Sequence, residues 1–177
     1  MARIRSFSTE QASREELSLI RDLLSDAFEG DFSAEDWAHT MGGHHIIAAD
    51  EGVLLAHAAV VPRTLEVGGT PMATGYVEGV ATRRSTQRRG YASRVMAESA
   101  TLIRSHYEMG ALSTGRHYFY QRLGWERWRG PTFVRTQDGL LRSEEDDDGL
   151  MVLRFGPSAE VDVRAAISCE ERPGDDW

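Results

Sequence analysis

The fold is decided by the stretch Gly75-Tyr76-Val77-Glu78-Gly79-Val80-Ala81-Thr82, which a tight loop joins to Gln87-Arg88-Arg89-Gly90-Tyr91-Ala92. The first part predicts a strand, and the second part predicts the start of a long helix. Strand alternation places Glu78 on one face with Tyr76 and Val80, so an acid lies among apolar residues. A carboxylate in such a place is costly unless it has a partner or a function.

The loop before the helix provides small residues at a point where a backbone could approach a ligand closely. Gly90 and Ala92 lie where the first amides of a helix have no acceptor within the helix. Such amides bind phosphate groups well, so the pattern predicts a phosphate site. A glycine-spaced loop is weak evidence by itself, and a plain helix start is the alternative.

Length and composition bound the class of protein. The 177 residues are enough for one well-buried domain, which we expect to span 1–177, and the hydrophobic share of 41% is ordinary for a globular protein. The sequence shows no membrane span and no apolar core of a signal peptide, so we expect a cytoplasmic protein. The single cysteine, Cys169, excludes an internal disulfide and a cysteine-rich zinc site, and its neighbours suggest the end of a strand.

Charge is unevenly distributed along the chain. All 20 basic residues are arginine, which excludes lysine Schiff-base chemistry and lysine-dependent phosphate loops. Arginines cluster in the loop at positions 83, 84, 88 and 89, whereas acids gather in residues 29–36, 144–148 and 175–176. This asymmetry suits one anionic and one cationic ligand. The net charge of −8 argues against a nucleic-acid partner.

The order of predicted elements indicates an α+β fold. Two capping boxes, Ser13-x-x-Glu16 and Ser33-x-x-Asp36, predict a helix that ends near Gly30 and a second, short helix. Strands are predicted at residues 3–7, 44–49, 53–61, 74–82, 111–113, 126–128, 132–136, 151–155 and 161–168, and further helices at 92–107 and 116–125. We therefore expect a mixed, mostly antiparallel central sheet flanked by helices.

Three histidines, His44, His45 and His57, raise the possibility of a metal site. No carboxylate or cysteine accompanies them at the spacing of metal ligands. Surface or core histidines are the commoner explanation, and we expect no metal.

Several segments together resemble one enzyme family. The acid-bearing strand, the loop and the later Tyr120-x-x-x-Gly124-Trp125 resemble the GNAT superfamily of N-acetyltransferases. Within it, the chain resembles the aminoglycoside 2'-N-acetyltransferases in five segments, and the resemblance covers nearly the whole chain. These are Glu29-Gly30-Asp31-Phe32, His39-Thr40-Met41-Gly42-Gly43-His44-His45, Gly75-Tyr76-Val77-Glu78-Gly79-Val80, Gly110-Ala111-Leu112-Ser113 and Gly174-Asp175-Asp176-Trp177.

The resemblance implies an acetyl-CoA donor and two catalytic residues. In such enzymes the pantetheine arm pairs with the backbone of Val80, Ala81 and Thr82. The pyrophosphate is held by the loop Gln87, Arg88, Arg89, Gly90, Tyr91 and Ala92. Glu78 matches the acid that removes a proton from the amine through water, and Tyr120 matches the residue that protonates the departing thiolate. Pairing of Glu78 with an arginine and simple packing of Tyr120 are the alternatives.

The resemblance also implies a polycationic aminoglycoside, or a related amine, as acceptor. Carboxylates and a few neutral partners would then line its pocket. By family match these are Asp31, Asp36, Glu78, Gly79, Ser113, Asp146 or Asp147, Asp175 and the terminal carboxylate of Trp177. The family further implies a homodimer built through the C-terminal strands. Capping acids near helix N-termini and a solvated acidic loop are the plainer explanations of these clusters.

Two other functions stay open at this point. One keeps the fold and the transfer but uses another polyamine or amino sugar, such as a cell-wall component. The other is a noncatalytic module that only binds acyl-CoA, which the presence of both Glu78 and Tyr120 argues against.

Overall fold

A computed structural model describes residues 2–177, which form two compact units. The first unit comprises residues 2–61 and Val77–Leu102, and the second comprises Pro62–Tyr76 and Ile103–Trp177. Of the helices in this described part, none is long and apolar enough to cross a membrane.

The elements that begin in the first 102 residues follow the predicted order closely. They are β1 (Arg3–Ser8), α1 (Arg14–Ala27), α2 (Ala34–His39), β2 (His44–Asp50), β3 (Val53–Val67), β4 (Thr70–Thr82) and α3 (Tyr91–His106). β2 pairs antiparallel with both β1 and β3, with Ile47 opposite His57. β3 and β4 each contribute residues to both units.

Local signals explain the helices of the first unit. Both predicted capping boxes are present, since the Ser13 and Ser33 hydroxyls accept the amides of Glu16 and Asp36 at 3.1 and 3.0 Å. α1 turns Ile20, Leu23 and Leu24 inward. These pack in one apolar cluster with Phe7, Ile47, Leu54 and Ala81. Burial of this face holds α1 against the strands.

The remaining elements belong to the second unit. They are β5 (Met109–Ser113), α4 (His117–Gln121), β6 (Glu126–Arg127), β7 (Thr132–Thr136), β8 (Gly139–Arg142), β9 (Leu150–Arg154) and β10 (Ile167–Glu170). The strands are hydrogen-bonded in the orders β6-β9-β5-β4 and β3-β10-β7-β8. β4 with β5 and β10 with β7 are parallel, and the other recorded pairs are antiparallel. The predicted α+β class with a mixed, mostly antiparallel sheet is confirmed.

The structure differs from the prediction at several elements. Residues 161–166 are not a strand; the strand here is β10, which contains the buried Cys169. The Val163 carbonyl instead accepts the amides of Arg129 and Gly130 at 2.8 and 3.0 Å. β8 was not predicted, and α4 is shorter than expected.

Candidate functional site

Strand β4 carries the predicted base in a distorted segment. Glu78 is half-buried, and the next residue, Gly79, has φ +56°. A Cβ on Gly79 would lie 2.9 Å from the Thr40 methyl group, so glycine fits both the conformation and the space. The residues that follow differ in environment, because Val80 and Thr82 are half-buried whereas Ala81 packs in the core. At Ala81, the backbone can therefore contact a ligand, but the side chain cannot.

The predicted phosphate loop precedes a four-turn helix. Gln87, Arg88, Arg89 and Gly90 are exposed, and α3 begins at Tyr91. Arg88 and Gly90 have φ +63° and +81°, which turn the chain sharply before the helix. The Gly90 carbonyl accepts the Arg94 amide at 3.1 Å, so the amides of the first helical turn have no acceptor within α3. The first turn contains no acidic side chain that would oppose an anion.

Two of the four loop arginines are engaged within the protein. Arg83 donates to the Leu54 carbonyl at 2.9 Å. Arg84 donates to the Asp26 carbonyl at 3.0 Å and forms an ion pair with Glu29 at 3.1 Å. These contacts anchor the start of the loop to β3 and to the end of α1.

Tyr120 lies on α4 and is buried. Its ring meets Phe119 and Trp125 edge-on, with centroids 4.9 and 6.4 Å away. Burial raises the pKa of Tyr120 to about 12, although the charge of Arg116 opposes the shift. The phenol therefore keeps its proton at neutral pH.

The two adjacent acids of the 144–148 segment have opposite environments. Asp147 forms an ion pair with Arg142 and accepts the amide and hydroxyl of Thr132 at 2.9 and 2.8 Å. Hydrogen bonding to Arg142 lowers the pKa of Asp147 to about 2. Burial and the charges of Glu145, Asp175 and Asp176 raise the pKa of Asp146. Asp147 therefore stabilises the fold through Arg142 and Thr132, whereas the ionised form of Asp146 would be stabilised by a cationic partner.

The C-terminal segment is held by a buried arginine. Arg63 is 6% exposed and donates to the Asp176 carbonyl at 2.6 Å and to the Glu170 carbonyl at 3.0 Å. Its guanidinium lies 4.8 Å from the centre of the Tyr76 ring. Trp177 is buried, and its indole donates to the Ser143 hydroxyl at 3.1 Å. These contacts fix residues 175–177 in the same region as Asp146.

Ser113 ends β5 in this second unit. A Cβ on Gly149 would lie 2.7 Å from the Ser113 hydroxyl, and the Gly149 carbonyl accepts the Thr114 amide at 2.9 Å. The Gly149 amide in turn donates to the Asp146 carbonyl at 3.0 Å. The structure therefore brings Ser113, Asp146, Asp175 and Trp177 into one region of the second unit.

Asp31 and Asp36, two of the predicted acceptor residues, lie in the first unit. Asp31 is exposed, in the turn after α1. Asp36 accepts the Ser33 amide at 2.8 Å as part of the α2 capping box, so the capping explanation holds for one of its oxygens.

The histidines form a hydrogen-bonded pair. His45 and His57 are each 0% exposed, and His45 Nδ1 lies 3.0 Å from His57 Nε2; we name them the His45–His57 pair. Burial lowers the pKa of His45 to about 4 and that of His57 to about 3. Residues 2–177 contain no group of three or more His, Cys, Asp or Glu side chains that could hold a metal ion.

For Arg63 and His57, the sequence contains a signal of burial that the predictions did not use. Arg63 shares its strand face with Val61 and Leu65, both buried, so its burial follows from the alternation of β3. His57 lies in the run 54–61, all of which is buried in β3, so the continuous apolar run was its signal. The contacts of Ser143 with Trp177 and of Asp147 with Arg142 had no comparable signal.

Comparison with known protein families identifies the family of this chain. Residues 8–128 match the acetyltransferase (GNAT) domain family. The chain therefore belongs to the GNAT acetyltransferases, as the sequence resemblance implied.

One relative with a named activity is similar to this chain over most of its length. The chain is 44% identical over 162 residues to an aminoglycoside 2'-N-acetyltransferase of Mycolicibacterium fortuitum, a match that covers 89% of this chain and 83% of that protein.

Solved structures agree in fold. An Escherichia coli GNAT acetyltransferase in complex with CoA aligns with TM-score 0.70, 20% identity, and coverage of 98% of this chain and 93% of that one. A Brucella melitensis GNAT acetyltransferase in complex with acetyl-CoA aligns with TM-score 0.64, 17% identity, and 94% coverage of each chain. The chain also matches longer proteins, such as a probable N-acyltransferase of Enterococcus faecalis, of which it spans 33% (TM-score 0.62, 17% identity, 72% of this chain).

Proposed function

We propose that this protein transfers the acetyl group of acetyl-CoA to the 2'-amine of an aminoglycoside. The observation that carries the acceptor assignment is the 44% identity, over most of both chains, to a protein named for that reaction. Such a reaction would inactivate the antibiotic by removing a positive charge, so antibiotic resistance is part of the proposal.

The acceptor site we propose relies on carboxylates. In the second unit, Asp146 is destabilised as an anion by burial and by neighbouring acids, which a cation would relieve. We assign Asp146, rather than Asp147, to the acceptor, together with Ser113, Asp175 and Trp177. In the first unit, we propose Asp31, Asp36 and the backbone at Gly79 as acceptor residues.

The donor site we propose is mostly backbone. The unpaired amides at the start of α3, reached through Gly90, would hold the pyrophosphate of acetyl-CoA. The edge formed by Val80, Ala81 and Thr82 would pair with the pantetheine arm. The exposed Arg88 and Arg89 would add favourable charge without a required geometry.

Glu78 acts in this proposal as the base. An ammonium cannot attack a thioester, so the 2'-amine must first lose a proton, which Glu78 accepts through water. The free amine then forms a bond to the acetyl carbon, and the carbon–sulfur bond breaks to release the thiolate. The attacking nitrogen loses its second proton to solvent, and the released thiolate takes up a proton from solvent, so the products are the neutral amide and the CoA thiol.

Tyr120 assists the departing sulfur. A thiol has a pKa of ~8.5, so complete transfer of a proton from a phenol with a pKa of about 12 would cost about 5 kcal/mol. We therefore propose that Tyr120 mainly donates a hydrogen bond to the thiolate. This bond stabilises the developing negative charge in a water-poor environment.

Three further properties belong to the same proposal. We propose that residues 1–177 act as one domain, which the sharing of β3 and β4 by both units supports. The donor is a cytoplasmic metabolite, so we place the reaction in the cytoplasm. A homodimer is implied by the family, and analytical ultracentrifugation would test it.

A thiol-release assay tests the proposal. Two acceptors that differ only in carrying a 2'-amine or a 2'-hydroxyl should be compared at equal concentration. We expect release of CoA thiol with the amine alone. Equal release with both would refute the assigned position, and no release with either would refute the aminoglycoside acceptor.

A further inference from the structure

The His45–His57 pair belongs to a longer hydrogen-bond chain within the first unit. His45 lies on β2 and His57 on β3, where His57 is opposite Ile47, so the two rings are diagonal neighbours on one face. Their centroids are 5.3 Å apart. At one end, His45 Nε2 lies 3.0 Å from the Thr9 hydroxyl. At the other end, His57 Nδ1 lies 2.8 Å from the Gly79 carbonyl oxygen.

The direction of every bond in this chain follows from its last acceptor. A carbonyl oxygen carries no proton, so His57 Nδ1 must donate to Gly79. A neutral His57 then accepts at Nε2, which requires His45 to donate from Nδ1 and to accept at Nε2. The Thr9 hydroxyl provides that last proton. It also lies 3.3 Å from the Gly43 carbonyl, but donation there would leave His45 Nε2 facing a second acceptor.

The proton of Thr9 is in turn directed by the backbone. The Thr9 oxygen accepts the Gly42 amide at 3.1 Å, and the Thr9 amide donates to the Gly43 carbonyl at 2.9 Å. The chain therefore runs in one sense, from the loop before β2 to the backbone of β4. It ends at a carbonyl, which cannot pass a proton on, so it cannot serve as a route for the proton of the substrate amine.

The end of the chain lies at the distorted point of β4. Gly79 is left-handed within a strand, and its carbonyl belongs to the peptide that joins it to Val80. Glu78 immediately precedes this glycine, and Val80 is the first residue that we assign to the pantetheine arm. The hydrogen bond from the fully buried His57 ring therefore fixes the plane of the Gly79–Val80 peptide, which lies between Glu78 and the segment that we assign to the pantetheine arm.

We propose that Thr9, His45 and His57 are positioning residues, which hold the Gly79 peptide so that Glu78 is aimed at the acceptor amine. The inference rests on the proposed role of Glu78. It requires both imidazoles to be neutral and to carry their proton on Nδ1.

The first test is spectroscopic and needs no substrate. Long-range ¹H–¹⁵N correlation spectra of the ¹⁵N-labelled protein at pH 7 distinguish Nδ1–H from Nε2–H imidazoles. We expect Nδ1–H for both rings, which is the less common form of free histidine. An Nε2–H or doubly protonated His57 would overturn the chain, whatever the enzyme's activity.

The second test uses matched variants. His57→Asn places an amide donor near the position of Nδ1, whereas His57→Leu removes the donor with a similar volume. We expect His57→Leu to lower kcat roughly tenfold, as misplacement of a catalytic group does, and His57→Asn to restore most of the rate. Equal rates for His57→Leu and the parent would overturn the role.

A milder pair covers the case in which His57→Leu does not fold. Thr9→Val removes only the hydroxyl at the partly exposed end, and Thr9→Ser keeps it. We expect Thr9→Val alone to lower kcat and to shift the Nε2 resonance of His45, which loses its donor, while Nδ1–H is retained. A Thr9→Val protein with the parent's kcat and the parent's His45 Nε2 resonance would overturn the proposal. If the parent itself releases no thiol while both rings carry Nδ1–H, the proposed function is refuted, but the hydrogen-bond chain is confirmed.

Discussion

Neighbouring acids provide the most decisive variant pair, because Asp146 and Asp147 have the same chemistry and opposite environments. The Arg142 ion pair lowers the pKa of Asp147 from 3.8 to about 2, a difference that corresponds to ~2.5 kcal/mol at neutral pH. Its side chain is 35% exposed, so solvent screening reduces the contribution to about 1 kcal/mol. Asp147→Asn should therefore lower Tm by about 3 °C and leave the acceptor KM nearly unchanged.

Asp146→Asn should behave in the opposite way. The ionised form of Asp146 is already disfavoured by burial and by nearby acids, so loss of the charge should not lower Tm. Loss of a charged hydrogen bond to the acceptor should raise its KM roughly tenfold.

The assay is a thermal melt of each variant followed by thiol release over a range of aminoglycoside concentrations. The effect of Asp147→Asn on Tm should persist from pH 7 to about pH 4. It should then shrink as the parent's carboxyl becomes protonated toward pH 2, because a depressed pKa stabilises the folded state only while the group is ionised. If Asp147→Asn raises KM and Asp146→Asn lowers Tm, the assignment of the two acids is reversed.

Other variants test separate parts of the account. Gly90→Val should weaken acetyl-CoA binding strongly in calorimetry, because a β-branched residue resists φ +81°, whereas the control Arg88→Ala should bind nearly as well as the parent. Glu78→Gln should lower kcat roughly 10²-fold, with a rate that keeps rising with pH as free amine accumulates. Tyr120→Phe should lower kcat by roughly 10²-fold too, but with no change in the pH profile below about pH 11, because burial raises the pKa of Tyr120 to about 12; a rate equal to the parent's would remove Tyr120 from the mechanism. Because the pKa values of the His45–His57 pair are lowered from 6.5, the free energy of unfolding should fall as pH drops from 6.5 toward 4, by about 1.4 kcal/mol per pH unit for each ring, and replacement of either histidine by glutamine should flatten that slope.

Much of the fold could be predicted from the sequence because its signals are local. The two capping boxes and the alternation in residues 76–80 each depend on residues a few positions apart. The failure at residues 161–166 has a tertiary cause. Gly130 lies so close to this segment that a Cβ on it would be 1.9 Å from the Ala165 carbonyl oxygen, and the Trp128 indole donates to the same carbonyl at 3.1 Å. The sequence predicts a strand here, but the backbone is engaged by residues 128–130.

The candidate site could be predicted by residue type but not by orientation. The sequence indicated that acids would surround a cationic ligand, and it treated Asp146 and Asp147 as equivalent. They differ because Arg142 and Thr132 reach only one of them, which depends on the turn between β8 and β9. The Arg63 contacts with the Asp176 and Glu170 carbonyls also join residues more than 100 positions apart. No local pattern specifies such a pairing.

The position of the transferred acetyl group tests the central claim most directly. The purified protein should be incubated with acetyl-CoA and an aminoglycoside that carries amines at the 2' and at other positions, and the product analysed by two-dimensional NMR. We predict a monoacetylated product in which the single new amide proton is coupled to the proton on carbon 2'. An acetyl group on any other nitrogen, or an unmodified aminoglycoside, would contradict the account.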